Sequence, residues 1–472
     1  MINFKAMKSL IFFIFFNVAF TIVAQNKPNL VLIVADDHGR EVVGCYGNSV
    51  IKTPSIDKLA SQSVRFDNAF CTSASCSASR SVLLTGKFNH STGHYGHEHE
   101  YNHFSTFNTE KSLTQYLENG NYRTARVGKY HLAPESVYHF QNVFKANQRN
   151  PVEMADVCKE FIYDSKEKPF FLYYCSSDPH RDEVYAKVPY SPNSFGNRED
   201  GYYLGIKEVH YKPEEVIVPN FLPDTPETRA ELAQYYQSVS RLDQGVGRLI
   251  AHLKEAGVYD NTIIIYISDN GIAFPGAKTT LYEPGMRLPC IIKQVNQKKP
   301  TVKDNLVSWV DLTPTILDLV GLYPSKNTFQ GKSFKSILEN KKGTTMEEEE
   351  IFASHTFHEV TMYYPMRVIQ NKKYKFIYNI ANQLDYPCAK DLWDSPTWQS
   401  VYKKGLDGYY GKRTINAYLH RPKFELYDVI NDPDEINNLA YNKEFEAIQL
   451  QFIEKMKLFQ KRTKDPWIVK WE

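Results

Sequence analysis

The sequence predicts a doubly wound α/β sheet with helices on both faces, followed by a smaller C-terminal α+β domain. Three patterns support this fold class: continuous apolar runs, amphipathic segments between them, and polar residues directly after several of the runs. Apolar runs rich in β-branched residues are typical of parallel strands that are buried on both faces. Their alternation with helical segments favours a sheet that is covered by helices on its two sides.

The predicted elements fall into two groups along the chain. The first group has strands over residues 29–35, 123–128, 169–175 and 262–267, and helices over residues 112–117 and 228–256. The second group has short strands over residues 372–379 and 424–429 and an amphipathic helix over residues 443–463. A hydrophilic stretch at 340–350 separates the groups and is predicted to be a linker or an exposed loop. We therefore expect a larger domain at 25–345 and a smaller domain at 346–472 that packs on it.

The N-terminus has the pattern of a secretory signal peptide over residues 1–24. Lys5 and Lys8 precede a short apolar run, and Ala24 supplies a small residue for cleavage before Gln25. A membrane anchor is the alternative interpretation, but the run is short for a span and no stop-transfer pattern follows. We expect export to the periplasm or the exterior of a bacterium, without a stable membrane span.

Composition excludes several classes of function. A formal net charge of +2 gives no bulk attraction for nucleic acid, and 42% hydrophobic residues describe a globular chain. Seven cysteines without a C-x-x-C pair form neither a zinc framework nor a dense disulfide scaffold. In an exported chain, an odd number leaves at least one thiol unpaired or chemically altered, and Cys76 is the candidate.

The segment that begins at Cys76 is predicted to be a helix, with Cys76 at its N-terminus and Arg80 one turn later on the same face. Backbone N–H groups and a guanidinium would then converge on one reactive side chain, which suits an anion. The alternative interpretation is a buried cysteine that begins a core helix.

Polar side chains follow two of the predicted strands. Asp36 and Asp37 follow the first strand, and Asp269 and Asn270 follow the strand at 262–267. Open α/β sheets bind ligands at the carboxyl ends of their strands. Adjacent carboxylates repel each other, so a cation such as Ca²⁺ or Mg²⁺ is a simple reason for them, although a solvated turn is the alternative. The basic or protonatable groups predict a substrate with an anionic reacting centre; they are Arg80, Lys129, His131, His180 and Lys278.

Five motifs in order resemble those of the type I sulfatases, whose signature cysteine is oxidised to formylglycine. The signature is the segment from Cys76 to Arg80 with the Leu-Leu-Thr-Gly that ends at Gly86. The other motifs are Asp36-Asp37, Gly128-Lys129-Tyr130-His131, Pro179-His180 and Ser268-Asp269-Asn270-Gly271, and residues 425–440 resemble the C-terminal signature of the family. Residues 358–367 and 465–467 resemble the heparan N-sulfatase branch.

The resemblance implies an alkaline-phosphatase-like fold, with the larger domain as the catalytic one. It also implies one calcium ion, a formylglycine made from Cys76 by a maturase, and attack of its hydrate on sulfur. The implied calcium ligands are Asp36, Asp37, the modified Cys76, Asp269 and Asn270. Arg80 would favour ionisation of the attacking hydroxyl, and Lys129, His131 and Lys278 would neutralise charge on the sulfuryl oxygens. We assign protonation of the leaving group to His180, and removal of the second hydroxyl proton to His131.

Two residues depart from the family pattern. Ala78 stands where the oxygen-dependent maturation machinery prefers Pro, whereas radical-type maturases accept either residue. Lys278 stands where the heparan N-sulfatase pattern has Arg, which replaces a fork of donors by a point charge.

The substrate pocket is predicted less sharply than the chemistry. His358 and Glu359 are candidates for holding a sugar. His103 belongs to a histidine-rich segment that is either a solvated loop or a pocket wall, and its histidines are His90, His94, His97, His99 and His103. The likeness favours N-sulfoglucosamine units of heparan type. The alternatives are an O-sulfatase on an algal polysaccharide such as ulvan or carrageenan, a phosphatase or phosphodiesterase of the same fold, and a carbohydrate-binding protein with an unmodified cysteine.

Overall fold

The computed structural model describes residues 27–164, 168–182, 195–198, 203–324, 327–339 and 350–471. The predicted signal peptide and residues 340–349 of the predicted linker lie outside these residues. Among the residues described, no helix combines the length and the apolar character that crossing a membrane requires.

The larger part of the chain folds around an eight-stranded mixed sheet. Its strands are β1 (Asn29–Ala35), β2 (Val64–Phe70), β3 (Arg123–Gly128), β4 (Asn142–Phe144), β5 (Phe170–Cys175), β6 (Thr262–Ser268), β7 (Cys290–Lys293) and β8 (Thr301–Ser308). The order across the sheet is β4-β3-β5-β1-β6-β7-β2-β8. All neighbours are parallel except β7, which runs antiparallel to both β6 and β2. The sequence predicted β1, β3, β5 and β6 but not β2, β4, β7 and β8.

Helices connect and flank the strands. They are α1 (Pro54–Ala60), α2 (Cys76–Thr85), α3 (Asn89–Thr92), α4 (Leu113–Asn119), α5 (Pro151–Val157), α6 (Lys159–Tyr163), α7 (Pro226–Glu255), α8 (Glu283–Met286), α9 (Leu312–Leu319), α10 (Lys335–Leu338), α11 (Lys390–Trp393), α12 (Pro396–Tyr402), α13 (Ile415–Leu419) and α14 (Glu446–Arg462). Short 3-10 helices lie at Arg40–Val42, Gly44–Tyr46, Trp309–Asp311, Lys443–Phe445 and Pro466–Trp471.

The residues of β1 show that both faces of the sheet are buried. Leu30, Leu32 and Val34 pack in one core with residues of α2, α4 and α9. The alternate residues of β1 pack in a second core with residues of α1, α5, α6 and α7. Because successive side chains of a strand point to opposite faces, one apolar strand contributes to both cores. The predicted doubly covered α/β architecture is confirmed.

The C-terminal part contains an antiparallel four-stranded sheet in the order β14-β11-β10-β9. Its strands are β9 (Ile351–His355), β10 (Met366–Gln370), β11 (Tyr374–Asn379) and β14 (Phe424–Asp428), and a short pair consists of β12 (Tyr409–Tyr410) and β13 (Arg413–Thr414). Helix α14 covers this sheet through Phe452, Met456 and Phe459. Val82 of α2 and Phe88 belong to the same core, with the Phe88 and Phe459 rings 4.8 Å apart. The smaller α+β domain therefore packs directly on the helix that begins at Cys76.

His90 bridges the two parts of the chain and makes stability sensitive to acid. Its Nδ1 lies 2.8 Å from Ser354 Oγ and its Nε2 lies 2.8 Å from Thr463 Oγ1. Burial lowers the pKa of His90 to about 3, although the charge of Asp465 opposes this shift. The folded protein thus keeps the ring neutral, whereas the unfolded chain protonates it below a pKa of about 6.5. Stability that is fully present above pH 6.5 is therefore lost as the pH falls toward 3.

We expect the free energy of unfolding of the His90→Gln variant to fall less steeply between pH 6.5 and 5 than that of the unsubstituted protein. The difference in slope should approach ~1.4 kcal/mol per pH unit, because one proton fewer binds on unfolding. Urea unfolding at several pH values measures it. His210→Gln, at an exposed position, is the control and should leave the slope unchanged. Equal slopes for His90→Gln and the unsubstituted protein would contradict the assignment.

Candidate active site

The predicted metal-binding side chains meet at the carboxyl ends of β1 and β6. These strands are parallel neighbours with Ala35 opposite Ser268, so the residues that follow them are brought side by side. Helix α2 begins at the same place. One oxygen from each of Asp36, Asp37 and Asp269 and the Sγ atom of Cys76 all lie within 4.8 Å of one another. All four side chains are fully buried.

The donor set fits a hard cation such as Ca²⁺. Asn270 Nδ2 donates a 2.7 Å hydrogen bond to Asp37 Oδ1, which turns the amide toward the carboxylates. Neither Asn270 Oδ1 nor Asp36 Oδ1 accepts a hydrogen bond from the described residues, although both are buried. Buried acceptors without a donor are costly, and carboxylate and amide oxygens are the ligands that calcium prefers. Asp37 has a left-handed backbone, with φ at 62°, which is an unfavourable conformation held at this site.

Two basic residues support the carboxylates from outside the cluster. Arg80 Nε and Nη2 lie 2.9 and 2.8 Å from Asp269 Oδ2, and Lys129 Nζ lies 2.6 Å from Asp36 Oδ2. Burial raises the pKa of Asp36, but the positive charges of Lys129, His180 and Arg80 outweigh this effect and hold the pKa below its usual range. Burial raises the pKa of Asp269 to about 7, against the opposing charge of Arg80. Arg80 therefore positions Asp269 rather than pointing freely into the cleft.

Gly128 explains how Lys129 reaches the carboxylates. Its φ is 84°, and a Cβ atom there would lie 2.1 Å from the carbonyl oxygen of Cys175. Only glycine tolerates both conditions. The close approach of β3 to β5 lets the chain turn directly into Lys129, whose N–H donates to the same carbonyl at 2.7 Å. Glycine at position 128 is therefore required by the backbone conformation, and lysine at position 129 by its contact with Asp36.

Cys76 is poorly suited to act as a thiolate. Its Sγ atom donates toward Asp37 Oδ1 at 3.6 Å. Burial and the three neighbouring carboxylates raise the pKa of the thiol well above its usual value, and Lys129 only partly opposes them. A thiol nucleophile reacts as the thiolate, so the protonated side chain is a weak one. The surroundings of Cys76 favour a different reactive group at this position.

A cavity of about 490 Å³ is lined by Lys129 and Lys278, the two lysines that contact Asp36 and Asp37 of the buried cluster. The predicted site residues that line it are Lys129, His131, His180, Lys278, His358 and Glu359. His103 is exposed and does not belong to that lining within the described part of the chain, so its role in substrate binding stays a prediction. Residues that the sequence did not single out as wall residues include Gln148 and Asp391.

Lys278 lies at the centre of a charged cluster on one wall of the cavity. Its Nζ atom is 2.9 Å from His180 Nε2, 3.0 Å from Asp391 Oδ2 and 3.1 Å from Asp37 Oδ2. The two carboxylates raise the pKa of Lys278 despite its burial. Burial and Lys278 lower the pKa of His180, against the charge of Asp37. In this arrangement His180 is neutral, donates through Nδ1 to the Arg181 carbonyl and presents the Nε2 lone pair to Lys278.

The first three histidines of the histidine-rich segment are buried, so the solvated-loop interpretation does not apply to them. His90, His94 and His97 are buried, whereas His99 and His103 are exposed. His94 braces the start of α2, because its Nε2 lies 2.7 Å from Ser77 Oγ. His97 and His99 line the cavity, so the pocket-wall interpretation applies to them. The sequence analysis left both interpretations of the segment open, because the spacing of the histidines did not distinguish them.

The helix-covered mixed sheet, with a carboxylate cluster at the ends of its strands, has the architecture of the alkaline-phosphatase-like class. A family model described as Sulfatase matches residues 28–322. A second, described as N-sulphoglucosamine sulphohydrolase, C-terminal, matches residues 276–405. The chain belongs to the sulfatase family.

Individual relatives extend over nearly the whole chain. Human N-sulphoglucosamine sulphohydrolase is 36% identical over 462 residues, which covers 93% of this chain and 91% of the relative. An ulvan-active sulfatase of Formosa agariphila is 27% identical and covers 93% of this chain and 81% of its own length. A protein solved in complex with its substrate D-glucosamine-2-N,6-O-disulfate superposes with a TM-score of 0.66 at 21% identity, covering 93% of this chain and 99% of the other. That structural similarity supports the fold.

Proposed function

We propose that this sulfatase removes sulfate groups from sulfated glycans and that N-sulfated glucosamine units of heparan type are its preferred substrate. The observation that carries the proposal is the cavity that Lys129, Lys278 and His180 line together, since both lysines also contact the carboxylates clustered with Cys76. The 36% identity with the human N-sulphoglucosamine sulphohydrolase supports the choice of substrate. Cationic groups that converge on a small cavity favour an anionic reacting centre.

A calcium ion and a formylglycine at position 76 belong to the same proposal. Asp36, Asp37, Asp269 and Asn270 would hold the ion together with the modified residue 76, since the unpaired buried oxygens of Asp36 and Asn270 and the clustered carboxylates fit it. Such an ion supplies positive charge next to the reacting group. Conversion of Cys76 by a maturase would replace a buried, protonated thiol by an oxygen nucleophile, which fits the raised pKa of the thiol.

The basic residues of the cavity would bind the sulfuryl oxygens and transfer the protons that the reaction requires. Lys129 and Lys278 would bind the sulfuryl oxygens and neutralise the charge that develops on them. The charge of a bound sulfuryl group next to His180 would favour the protonated ring, which could then donate from Nε2 to the leaving nitrogen or oxygen. His131 would accept a proton near residue 76. Its backbone, with φ at 55°, holds the ring at the cavity wall.

The place of action follows from the sequence pattern at the N-terminus. Residues 1–24 carry the basic, apolar and small-residue order of a signal peptide, so we propose that the enzyme works in the periplasm or outside a bacterial cell. An extracellular position would bring it to polymeric or oligomeric glycans.

An O-sulfatase acting on ulvan is the second candidate. The 27% identity with an ulvan-active sulfatase over 93% of this chain supports it. Lys278 presents a single ammonium group beside His180, where an arginine would present a planar fork of several donors. This difference favours a leaving group other than the one that an arginine at this position would accommodate.

Sulfate release from three substrates distinguishes the candidates. The purified protein, co-expressed with a maturase, is incubated with heparan oligosaccharides, with glucosamine N-sulfate and with ulvan oligosaccharides. We expect release from the first two. Release from ulvan alone would replace the first candidate by the second, and release from none by a protein with converted residue 76 would contradict both.

Asp391 should act as a positioning residue for Lys278 and His180. We expect Asp391→Asn to lower kcat/KM by about tenfold, because the ion pair with Lys278 is replaced by a weaker hydrogen bond to a neutral amide. Removing this anion also disfavours protonated His180 and lowers its pKa. Since activity requires the protonated ring and is lost as pH rises through its pKa, the alkaline limb of the pH–rate profile should move to lower pH.

The matched control is Asp394→Asn, one helical turn away on an exposed side chain that pairs with Lys390. It should leave both the rate and the profile unchanged. A lower rate for Asp391→Asn with an unmoved alkaline limb would indicate a purely structural role.

A further inference from the structure

Three imidazole rings converge at the mouth of the cavity. His97 Nδ1 and His99 Nδ1 each lie 2.8 Å from His131 Nε2. The three nitrogens all lie within 4.8 Å of one another. His97 is buried, His131 is half-buried and His99 is exposed, so the cluster extends from the protein interior to solvent.

Hydrogen bonding alone does not account for this convergence. A neutral imidazole nitrogen that accepts a hydrogen bond has one in-plane lone pair, yet two ring nitrogens approach His131 Nε2 at the same distance. Protonating the rings would add positive charge beside Lys129. Burial lowers the pKa of both His97 and His131, and the charge of Lys129 contributes at each, which favours the neutral form of these two rings. Neutral rings with converging lone pairs are the form that a metal ion binds.

The surroundings of His97 resemble the support of a metal ligand. Its other nitrogen, Nε2, lies 2.9 Å from His358 Nε2, and His358 Nδ1 lies 2.9 Å from Ser75 Oγ. Ligating histidines are usually oriented by a hydrogen bond at the second ring nitrogen. Glu98 adds negative charge at the rim. Its Oε2 atom is buried, accepts no hydrogen bond from the described residues and lies 3.2 Å from His99 Nδ1.

We propose that His97, His99 and His131 form a binding site for a late first-row divalent cation such as Zn²⁺, separate from the carboxylate cluster around Cys76. Three imidazoles suit Zn²⁺, Cu²⁺ or Ni²⁺ better than the hard calcium ion. Nitrogen ligands of one tetrahedral zinc stand roughly 3.3 Å apart for Zn–N bonds of about 2.0–2.1 Å. Binding therefore requires His97 Nδ1 and His99 Nδ1 each to lie about half an ångström farther from His131 Nε2, which small rotations of the exposed His99 ring and the half-buried His131 ring can provide. A fourth position would stay open to the cavity for water or an anionic oxygen. An ion bound at His131 Nε2 would leave the ring proton on Nδ1, so His131 would not accept a proton near residue 76 while the site is occupied.

Zinc titration tests the site without depending on sulfatase activity. Isothermal calorimetry with Zn²⁺ is performed on tag-free protein with excess calcium, in a Cys76→Ser background that removes the thiol next to the other cluster. Co²⁺ serves as a spectroscopic probe, since its visible absorption reports a tetrahedral nitrogen site. We expect one equivalent of Zn²⁺ to bind, and His99→Gln to weaken that binding by about 10- to 100-fold.

His103→Gln is the matched control, because His103 is an exposed histidine four residues from His99 and outside the cluster. It should bind Zn²⁺ as the background protein does. Equal affinity of the His99→Gln and His103→Gln proteins, or no binding by the background protein, would overturn the proposal. Neither outcome would bear on sulfate release by the converted enzyme, so failure of this site and failure of the proposed function are distinguishable.

Discussion

Replacing Cys76 by alanine is expected to lower kcat/KM for sulfate release by about 10⁴-fold or more, which is the scale of losing a nucleophile. The side chain is fully buried at the first position of α2, and its Sγ atom lies 3.6 Å from Asp37 Oδ1. Alanine fits the same space and leaves the helix intact, so the fold should be retained. Sulfate release is measured together with the thermal midpoint and with the intact mass of the unsubstituted protein, which reports conversion of residue 76.

Cys71→Ala is a matched control for that experiment. Cys71 is an equally buried cysteine five residues earlier, and its Sγ atom donates to the Gly285 carbonyl at 3.5 Å. Its loss should cost some stability through a small cavity but leave most of the activity. Substantial residual activity in Cys76→Ala would assign the nucleophile to another residue. An unconverted thiol in an active protein would remove formylglycine from the mechanism.

Asp37→Asn is expected to lower activity by at least about a hundredfold and to abolish stabilisation by calcium. Asp37 lies 3.6 Å from Cys76 Sγ, 2.7 Å from the Asn270 amide and 3.1 Å from Lys278. It thus links the predicted ion, the nucleophile and the basic wall. A ligand at 100 times its dissociation constant stabilises the folded state by about 2.7 kcal/mol. The unsubstituted protein should therefore melt at a lower temperature after chelation, whereas Asp37→Asn should melt at the same temperature with and without calcium.

Asp304→Asn removes one negative charge from the surface and serves as the control, since its side chain is 82% exposed. It should keep both the activity and the response to calcium. If chelation leaves the melting temperature of the unsubstituted protein unchanged, the carboxylate cluster does not bind calcium under those conditions. If Asp37→Asn still responds to calcium, the ion binds elsewhere.

The strand-end residues were predictable because their signal is local. Asp36, Asp37, Asp269 and Asn270 each follow a run of apolar residues, and parallel strands place such residues at one edge. Asp391 had no comparable signal. It reaches Lys278 across 113 residues of sequence, from a short helix without a motif. The contacts of His97 and His99 with His131 likewise depend on how a loop folds back, which no periodic pattern encodes.

Two further differences have physical causes. The antiparallel strand β7 is only four residues long, so its direction is set by its neighbours and not by its own pattern. Helix α7 begins at Pro226, two residues before the predicted start. The Thr225 side chain accepts a hydrogen bond from the Thr228 N–H, and proline occupies the first helical position. This capping pattern is present in the sequence, but the predicted start was based on hydrophobic periodicity alone, which does not include it.

Helix α2 shares a hydrophobic core with the C-terminal sheet, and this limits how the chain can be truncated or its C-terminal part exchanged. Val82 of α2, Phe88 and Val310 pack with Phe376, Phe459 and their neighbours as one cluster. Truncation before β9 would expose that apolar surface on the helix that begins at Cys76. The C-terminal part is therefore no detachable specificity module. Exchanging the C-terminal part between relatives in order to change the glycan that is bound would also require redesign of the buried side of α2. Changes in glycan recognition through the C-terminal part are therefore expected to evolve together with the helix that begins at Cys76.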